Sequence, residues 1–258
     1  MDEHTGRRRF SLSGMGLRIW GLVFLAVGTC GRAVIQNTLM GLNQKNTAEI
    51  LDALEQSTAM LQYATVAVVF QAVEACAAPI FAFLLVEGFR HTSDFKKYLL
   101  RVAGLAFFCE IPFNLAAGGS WLVPDNRNPV FAMVICLIML YFYGKYQGRS
   151  LNNILIQCLV TLTACLWVDL LQIQDGLQLV LLTAVIWFFR DRTVWRTLVG
   201  CGVACLCGVI SPFYFAAPLS FLLIFLYAGE QGTDQKLISY TAYPAILLLF
   251  YGTTLFLH

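Results

Sequence analysis

Long apolar runs recur along the whole of this sequence, and they constrain its fold more than any other feature. The longer ones reach roughly 18 to 25 residues, the length that a helix needs to cross the hydrocarbon core of a bilayer. Hydrophobic residues make up 59% of the chain and charged residues 12%, whereas about 25% of a soluble domain is charged. We therefore expect residues 1–258 to form a single integral membrane domain, an all-α polytopic helical bundle.

The apolar runs and the turn signals between them predict about nine transmembrane helices. The predicted spans are residues 17–39, 63–89, 102–117, 129–146, 151–171, 176–189, 194–210, 212–227 and 238–258. Pro79 lies within the second span and predicts a kink there. Between the first two spans, the polar residues 41–62 have the spacing of a short amphipathic helix at the membrane interface.

The distribution of basic residues predicts the orientation of the bundle. With a cytoplasmic N-terminus, only Arg32, Lys45 and Arg127 fall outside the cytoplasmic segments, which is the bias of the positive-inside rule. The basic residues 7–9 and the apolar run after them also fit a signal peptide, with small residues at 28–31. Because many spans follow, we favour an uncleaved first helix and a cytoplasmic N-terminus.

Cysteine and basic-residue patterns favour neither a metal site nor nucleic-acid binding. The nine cysteines are scattered and none forms a C-x-x-C pair, so we expect small buried apolar residues and no bound metal. No basic surface interleaved with aromatic residues exists that would bind nucleic acid. Membrane lipid is the expected surrounding partner, and the sequence leaves homo-oligomer formation open.

Glu87 and His91 are four residues apart at the end of the second span. This spacing places both on one face of a helix. A carboxylate can orient an imidazole and raise its basicity, so the pair is a candidate general base. The alternative is an interfacial histidine beside a glutamate near the end of the helix.

The turn after this span is basic, with Arg90, Lys96, Lys97 and Arg101 close together. Such a cluster suits the phosphate groups of a cofactor or the headgroups of lipids. Ordinary positive-inside charge is the alternative explanation.

Glu110 lies deeper, in the segment Cys109-Glu-Ile-Pro-Phe-Asn114. Pro112 removes a backbone donor and predicts a local break of the helix. A carboxylate at a broken helix can bind a cation or a substrate amine, whereas an ion pair with Arg32 would make Glu110 structural. Two further acids, Glu74 and Asp169, are also candidate partners of Arg32.

Several segments together resemble the TraX family of membrane proteins, named for the conjugal-transfer acetylase that modifies pilin. They are Pro-Ile-Phe-Ala-Phe-Leu-Leu-Val-Glu-Gly-Phe-Arg-His-Thr at 79–92, Lys-Tyr-Leu-Leu-Arg at 97–101 and Glu-Ile-Pro-Phe-Asn-Leu at 110–115. Leu-Tyr-Ala-Gly-Glu-Gln-Gly at 226–232 and Tyr-Pro-Ala at 243–245 extend the resemblance. The family is similar to the wider group of multi-spanning membrane acyltransferases.

The resemblance implies transfer of an acetyl or other acyl group from cytoplasmic acyl-CoA to an envelope-facing amine or hydroxyl, in a bacterial inner membrane. Glu87 and His91 would then supply the base, and Glu110 and Asn114 would face the acceptor. The cofactor phosphates would be held by the basic turn, Arg90, Lys96, Lys97 and Arg101.

Two departures from the family pattern bear on activity. The family's Asp-His pair late in the first span is replaced by Gly28-Thr-Cys-Gly31, and its histidine in the last span by Ile246. These changes keep a second hypothesis open, a catalytically silent bundle that binds a lipid, a small ligand or a partner protein. A transporter is a third hypothesis, although no repeated halves are visible.

Overall fold

A computed structural model describes residues 12–42, 45–118, 120–121, 123, 126–148, 150–227, 229 and 236–257. The basic residues 7–9, Arg149 and most of the 226–232 segment lie outside the described residues. The helices are α1 Gly14–Cys30, α2 Thr47–Gln56, α3 Thr58–Ala75, α4 Ala77–His91, α5 Phe95–Gly118, α6 Val130–Lys145, α7 Leu151–Leu170, α8 Gly176–Phe188, α9 Thr193–Ile210, α10 Ser220–Phe225 and α11 Lys236–Leu257. A π-helical segment, Gly31–Leu39, continues α1, and a 3₁₀ segment, Pro212–Leu219, precedes α10.

The protein is an all-α membrane protein. Within the described ranges, five helical segments are long and apolar enough to cross a membrane: Gly14–Leu39, Thr58–His91, Phe95–Gly118, Leu151–Leu170 and Thr193–Ile210. Four shorter apolar helices are Val130–Lys145, Gly176–Phe188, Pro212–Phe225 and Thr241–Phe256. The polar segment forms α2, whose start is closed by a capping box between Asn46 and Glu49.

Burial separates inner helices from outer ones. Along α4 and α8, large side chains such as Ile80, Phe83 and Ile186 are fully buried. The outer helix α7 carries a stripe of exposed leucines. They are Leu151, Leu155, Leu159, Leu162, Leu166 and Leu170. An apolar stripe that faces outward fits lipid as the surrounding solvent, since lipid tails are as apolar as leucine.

Pro79 and Pro112 differ in their effect on the helices that contain them. The second predicted span is two helices, because α3 ends at Ala75 and α4 starts at Ala77, just before Pro79. The kink predicted near Pro79 therefore corresponds to a break around Cys76. The break predicted at Pro112 is wrong, because α5 runs from Phe95 to Gly118 with this proline inside it. Burial of Pro112 between neighbouring helices fits the tolerance of proline in packed membrane helices.

Two glycines of α9 offer a matched test of helix packing. A Cβ atom on Gly200 would come 2.3 Å from the ring of Phe221, which is fully buried, whereas one on Gly202 meets nothing within 4 Å. We expect Gly200→Ala to lower the free energy of unfolding by about 1–3 kcal/mol through overpacking. Gly202→Ala should be neutral or raise it by up to about 1 kcal/mol. Unfolding titrations in mixed micelles measure both, and equal stabilities would contradict this packing.

Candidate functional site

A partly open cavity of about 300 Å³ lies between α1, α4, α5, α6 and the start of α8. Its walls are mainly apolar and include Leu22, Phe81 and Met133. Along α4 the lining runs from Ala77 to Gly88, a distance of about 16 Å at ~1.5 Å per residue. The volume is at the lower end of the range for small-molecule sites, so the cavity suits a narrow, extended group.

One end of the cavity, which we call the mouth, is positively charged. Arg18 of α1 and Arg101 of α5 line it, together with Tyr98 and Gly88. A Cβ atom on Gly88 would come 2.7 Å from the Tyr98 hydroxyl oxygen, so the glycine makes room for this side chain. Two arginines at the entrance of an apolar channel would attract an anionic group.

The opposite end of the cavity, which we call the floor, is polar and acidic. Glu74, Gln174, Asp175, Tyr214 and Tyr243 line it. Asp175 precedes α8 in a left-handed conformation, with φ of 54°, and its side chain does not cap the helix. Its carboxylate instead accepts a hydrogen bond from Gln174 Nε2 at 3.4 Å and interacts with the Tyr214 hydroxyl. The carboxylate is therefore presented to the cavity.

An ion pair separates the floor of the cavity from a second, smaller space. Glu74 of α3 pairs with Arg32, which the π-helical segment presents. A Cβ atom on Gly28 would overlap the Glu74 side chain, so this glycine lets the carboxylate pass to Arg32. Beyond the pair lies a second space of about 10 Å³, lined by Thr29, Arg32, Glu74 and Tyr243 among others. That volume is close to the minimum for a single water molecule.

Glu87 and His91 lie near the mouth but are not among the residues that line the cavity. His91 Nδ1 is 2.9 Å from the Glu87 carbonyl oxygen and 3.5 Å from Glu87 Oε2. The His91 side chain is 52% exposed, and that of Glu87 is 14% exposed. The two residues share one face of α4, as predicted, and Glu87 also pairs with Arg90 at 3.3 Å.

The basic residues of the turn have different surroundings. Arg90 bridges α4 to the loop before α9 through Asp191 at 3.5 Å. Lys97 pairs with Asp94 at 3.1 Å, and Lys96 is exposed. Of the predicted phosphate-binding residues, Arg101 alone is among the residues that line the cavity. The prediction that all four hold a cofactor stays a prediction.

Glu110 and Asn114 occupy the far half of α5. Glu110 Oε2 accepts hydrogen bonds from the Asn128 backbone N–H at 3.2 Å and side-chain amide at 2.5 Å. Arg32 pairs with Glu74, so the alternative ion pair between Arg32 and Glu110 does not form. Asn114 is 1% exposed and donates to the Trp121 carbonyl at 3.3 Å, while its side-chain oxygen has no hydrogen-bond partner among the described residues.

The turn between α4 and α5 gives a pH-dependent prediction. Hydrogen bonds from the Lys97 backbone N–H, at 3.1 Å, and side chain lower the pKa of Asp94. As the pH falls, the Asp94 carboxylate therefore takes up a proton at a higher pH in the unfolded chain than in the folded protein. The stability contributed by Asp94 is complete above the ordinary aspartate pKa and is lost as the pH falls through the lowered one. Asp94→Ala should flatten the acid side of the melting-temperature profile, and an unchanged profile would contradict this role.

Sequence reasoning found some residues of the floor and missed others. Glu74 was recognised as an intramembrane acid, because it interrupts an apolar run. Asp175 and Tyr214 were missed, because each lies at a junction between helices, where polar residues are ordinary. An acid directly before Gly176 at the start of an apolar helix was the one available signal.

Helices of membrane-spanning length around a cavity with a basic mouth and an acidic floor define a helical membrane protein with a ligand-sized site between its helices. A family model described as TraX protein matches residues 50–254. Because the match covers most of the chain, the protein belongs to the TraX family, which confirms the resemblance. Arg18 and Arg32 precede the matched range. Searches of curated proteins and of solved structures find no match to the chain.

Proposed function

We propose that the protein is a membrane acyltransferase that uses acyl-CoA. The supporting observation is the cavity, which has two arginines at its mouth, apolar walls and carboxylates at its floor. Acyl-CoA has a matching order of parts: a phosphorylated nucleotide, a narrow pantetheine arm and a thioester. The nucleotide would stay outside the mouth, because the volume of about 300 Å³ accommodates only the arm and the acyl group.

The chemistry needs a group that takes the proton from the acceptor amine or hydroxyl. Within the cavity, the carboxylates of Glu74 and Asp175 are the candidates. Glu74 is held by Arg32, so we assign the base to Asp175. The acceptor attacks the thioester carbonyl, its proton passes to the Asp175 carboxylate, and the coenzyme A thiolate leaves. The earlier assignment to Glu87 and His91 stays a competing prediction, and variants separate the two.

The membrane arrangement is part of the proposal. We infer nine spans with a cytoplasmic N-terminus, because the five long and four shorter apolar helices of the described chain correspond to the nine predicted runs. The mouth then opens to the cytoplasm, where acyl-CoA is found, and the acceptor comes from the envelope side. Reporter fusions should place residues 92–94 and 189–192 in the cytoplasm and residues 126–128 outside. The reverse pattern would contradict this orientation.

A transfer assay tests the enzyme proposal. Membranes that contain the protein should move radiolabel from acetyl-CoA to envelope material, and Ala78→Phe, which fills the cavity, should abolish this transfer. Leu159→Phe on the lipid-facing side of α7 is the matched control and should retain it. Equal transfer by both variants, or none by the wild type, would contradict the proposal.

A catalytically silent, ligand-binding bundle is the second candidate. It is favoured by the ion pair that occupies Glu74 and by the position of His91 outside the cavity lining. In that case the protein would bind acetyl-CoA or another ligand in the cavity without transfer. Ligand binding that Ala78→Phe removes, with no transfer above empty membranes, would select this candidate over catalysis.

A further inference from the structure

The N-terminus of α9 has no side-chain cap. The helix starts at Thr193, and the side chain of its N-cap residue, Arg192, makes no capping hydrogen bond. The backbone N–H groups of Thr193, Val194 and Trp195 have no partner within the helix by its geometry. These three residues are exposed. Uncapped N–H groups and the helix dipole together favour an anion at this end.

A buried arginine lies behind this terminus. Arg196 is 6% exposed, and its guanidinium stacks 4.8 Å from the ring centroid of Phe83. Its Nη1 donates to the carbonyl of Arg190 at 3.4 Å, so the side chain reaches back toward the start of the helix. Its Nε atom is buried and has no hydrogen-bond partner in the described part of the chain. A cation in the first turn opposes the helix dipole, and a buried cation is costly without an anion.

The surrounding charge is net positive. Glu87 and Arg90 are the charged groups that act on Arg196, and they pair with each other at 3.3 Å. Asp191 pairs with Arg90 at 3.5 Å and with Arg190 at 3.6 Å. Three arginines, counting Arg196, therefore face two carboxylates in this region, those of Glu87 and Asp191. None of the ion pairs formed by the described residues includes Arg196.

We propose that the N-terminus of α9, with Arg196 behind it, binds a phosphate group. The N–H groups of Thr193, Val194 and Trp195 donate to its oxygens, and Arg196 supplies the balancing charge. The phosphate belongs either to the nucleotide of coenzyme A or to the headgroup of an anionic lipid. The first source rests on the proposed acyltransferase function, whereas the anion site itself does not.

Two variants test the site by different routes. Arg196→Gln removes the buried charge, and Thr193→Pro removes one N–H at the first helical position, where proline is well tolerated. Lys145→Gln, at the exposed end of α6 on the same side of the bundle, is the matched control for lost charge. Each protein is reconstituted in phosphatidylcholine nanodiscs for calorimetric titration with coenzyme A. Native mass spectrometry of protein from mixed phosphatidylcholine and phosphatidylglycerol counts the retained anionic lipid.

The expected result is coenzyme A binding that weakens about tenfold in Arg196→Gln and about threefold in Thr193→Pro, with Lys145→Gln unchanged. A second result is that the wild type binds no coenzyme A while both variants lose retained phosphatidylglycerol. The anion site is then supported and the phosphate comes from a lipid headgroup, whereas the acyltransferase proposal fails. If Thr193→Pro and a folded Arg196→Gln bind both ligands like the wild type, or if the wild type binds neither, the site is overturned. Melting temperatures show whether each variant is folded. If Arg196→Gln does not fold, the binding measured with Thr193→Pro tests the site.

Discussion

Glu74→Gln is expected to lower the free energy of unfolding by about 2–4 kcal/mol. The substitution keeps the shape that fits against Gly28 but removes the charge that balances Arg32. The side chains of Arg32 and Glu74 are 21% and 11% exposed, so the remaining guanidinium would be a largely buried, unpaired cation. Removing one member of a buried ion pair is strongly destabilising for this reason. Arginine cannot relieve the cost by losing its proton.

A substitution of Arg32 distinguishes the effect of the ion pair on stability from the effect of lost packing contacts. Arg32→Met should cost less than Glu74→Gln, because the freed Glu74 carboxyl can take up a proton and become neutral. The double variant should recover at least half of the stability lost in Glu74→Gln, since an uncharged pair is close to neutral for stability. Glu55→Gln, at an exposed acid of α2, is the control. Unfolding titrations in mixed micelles measure all four, and additive losses in the double variant would contradict a paired charge.

Asp175→Asn is expected to reduce transfer of the acyl group at least about 100-fold, the usual contribution of a positioned general base. The substitution is nearly isosteric, so acetyl-CoA binding should stay close to that of the wild type. A loss confined to turnover would identify a residue that acts in the reaction step. The left-handed conformation of Asp175 fits this role, because backbone strain is concentrated at functional sites.

Two controls make the assignment of the base falsifiable. Asp169→Asn changes an exposed acid at the end of α7 and should leave transfer unchanged. His91→Ala should reduce transfer less than about tenfold, because this side chain lies outside the cavity lining. Full transfer by Asp175→Asn together with loss in His91→Ala would move the base to Glu87 and His91.

Hydropathy located most of the apolar helices, because an apolar run and its flanking turns are local features, but it missed the break between α3 and α4. The predicted span 151–171 corresponds to Leu151–Leu170, and 176–189 corresponds to Gly176–Phe188. The spacing within residues 41–62 also predicted an amphipathic helix, which the structure places at Thr47–Gln56 with Asn46 and Glu49 capping its start. The effect of Pro112 was mispredicted, because tertiary burial decides whether a helix continues through a proline.

The site was harder to predict, because its residues are brought together by helix packing. Nothing local distinguishes Glu74 from Glu110 as the partner of Arg32, and the choice depends on how α3 packs against the π-helical segment. Asp175 reaches the cavity only because the chain turns in a left-handed conformation just before α8. Arg196 resembles an ordinary cytoplasmic charge in the sequence, whereas the structure buries it against Phe83.

The cavity as an acyl-CoA site is the central claim, and direct binding tests it most directly. Acetyl-CoA is titrated into purified wild-type protein, Ala78→Phe and Leu159→Phe in nanodiscs, with melting temperatures confirming that each is folded. We predict saturable binding to the wild type and to Leu159→Phe, and loss of binding in Ala78→Phe. Absence of wild-type binding at millimolar acetyl-CoA, or unchanged affinity in a folded Ala78→Phe protein, would contradict the claim.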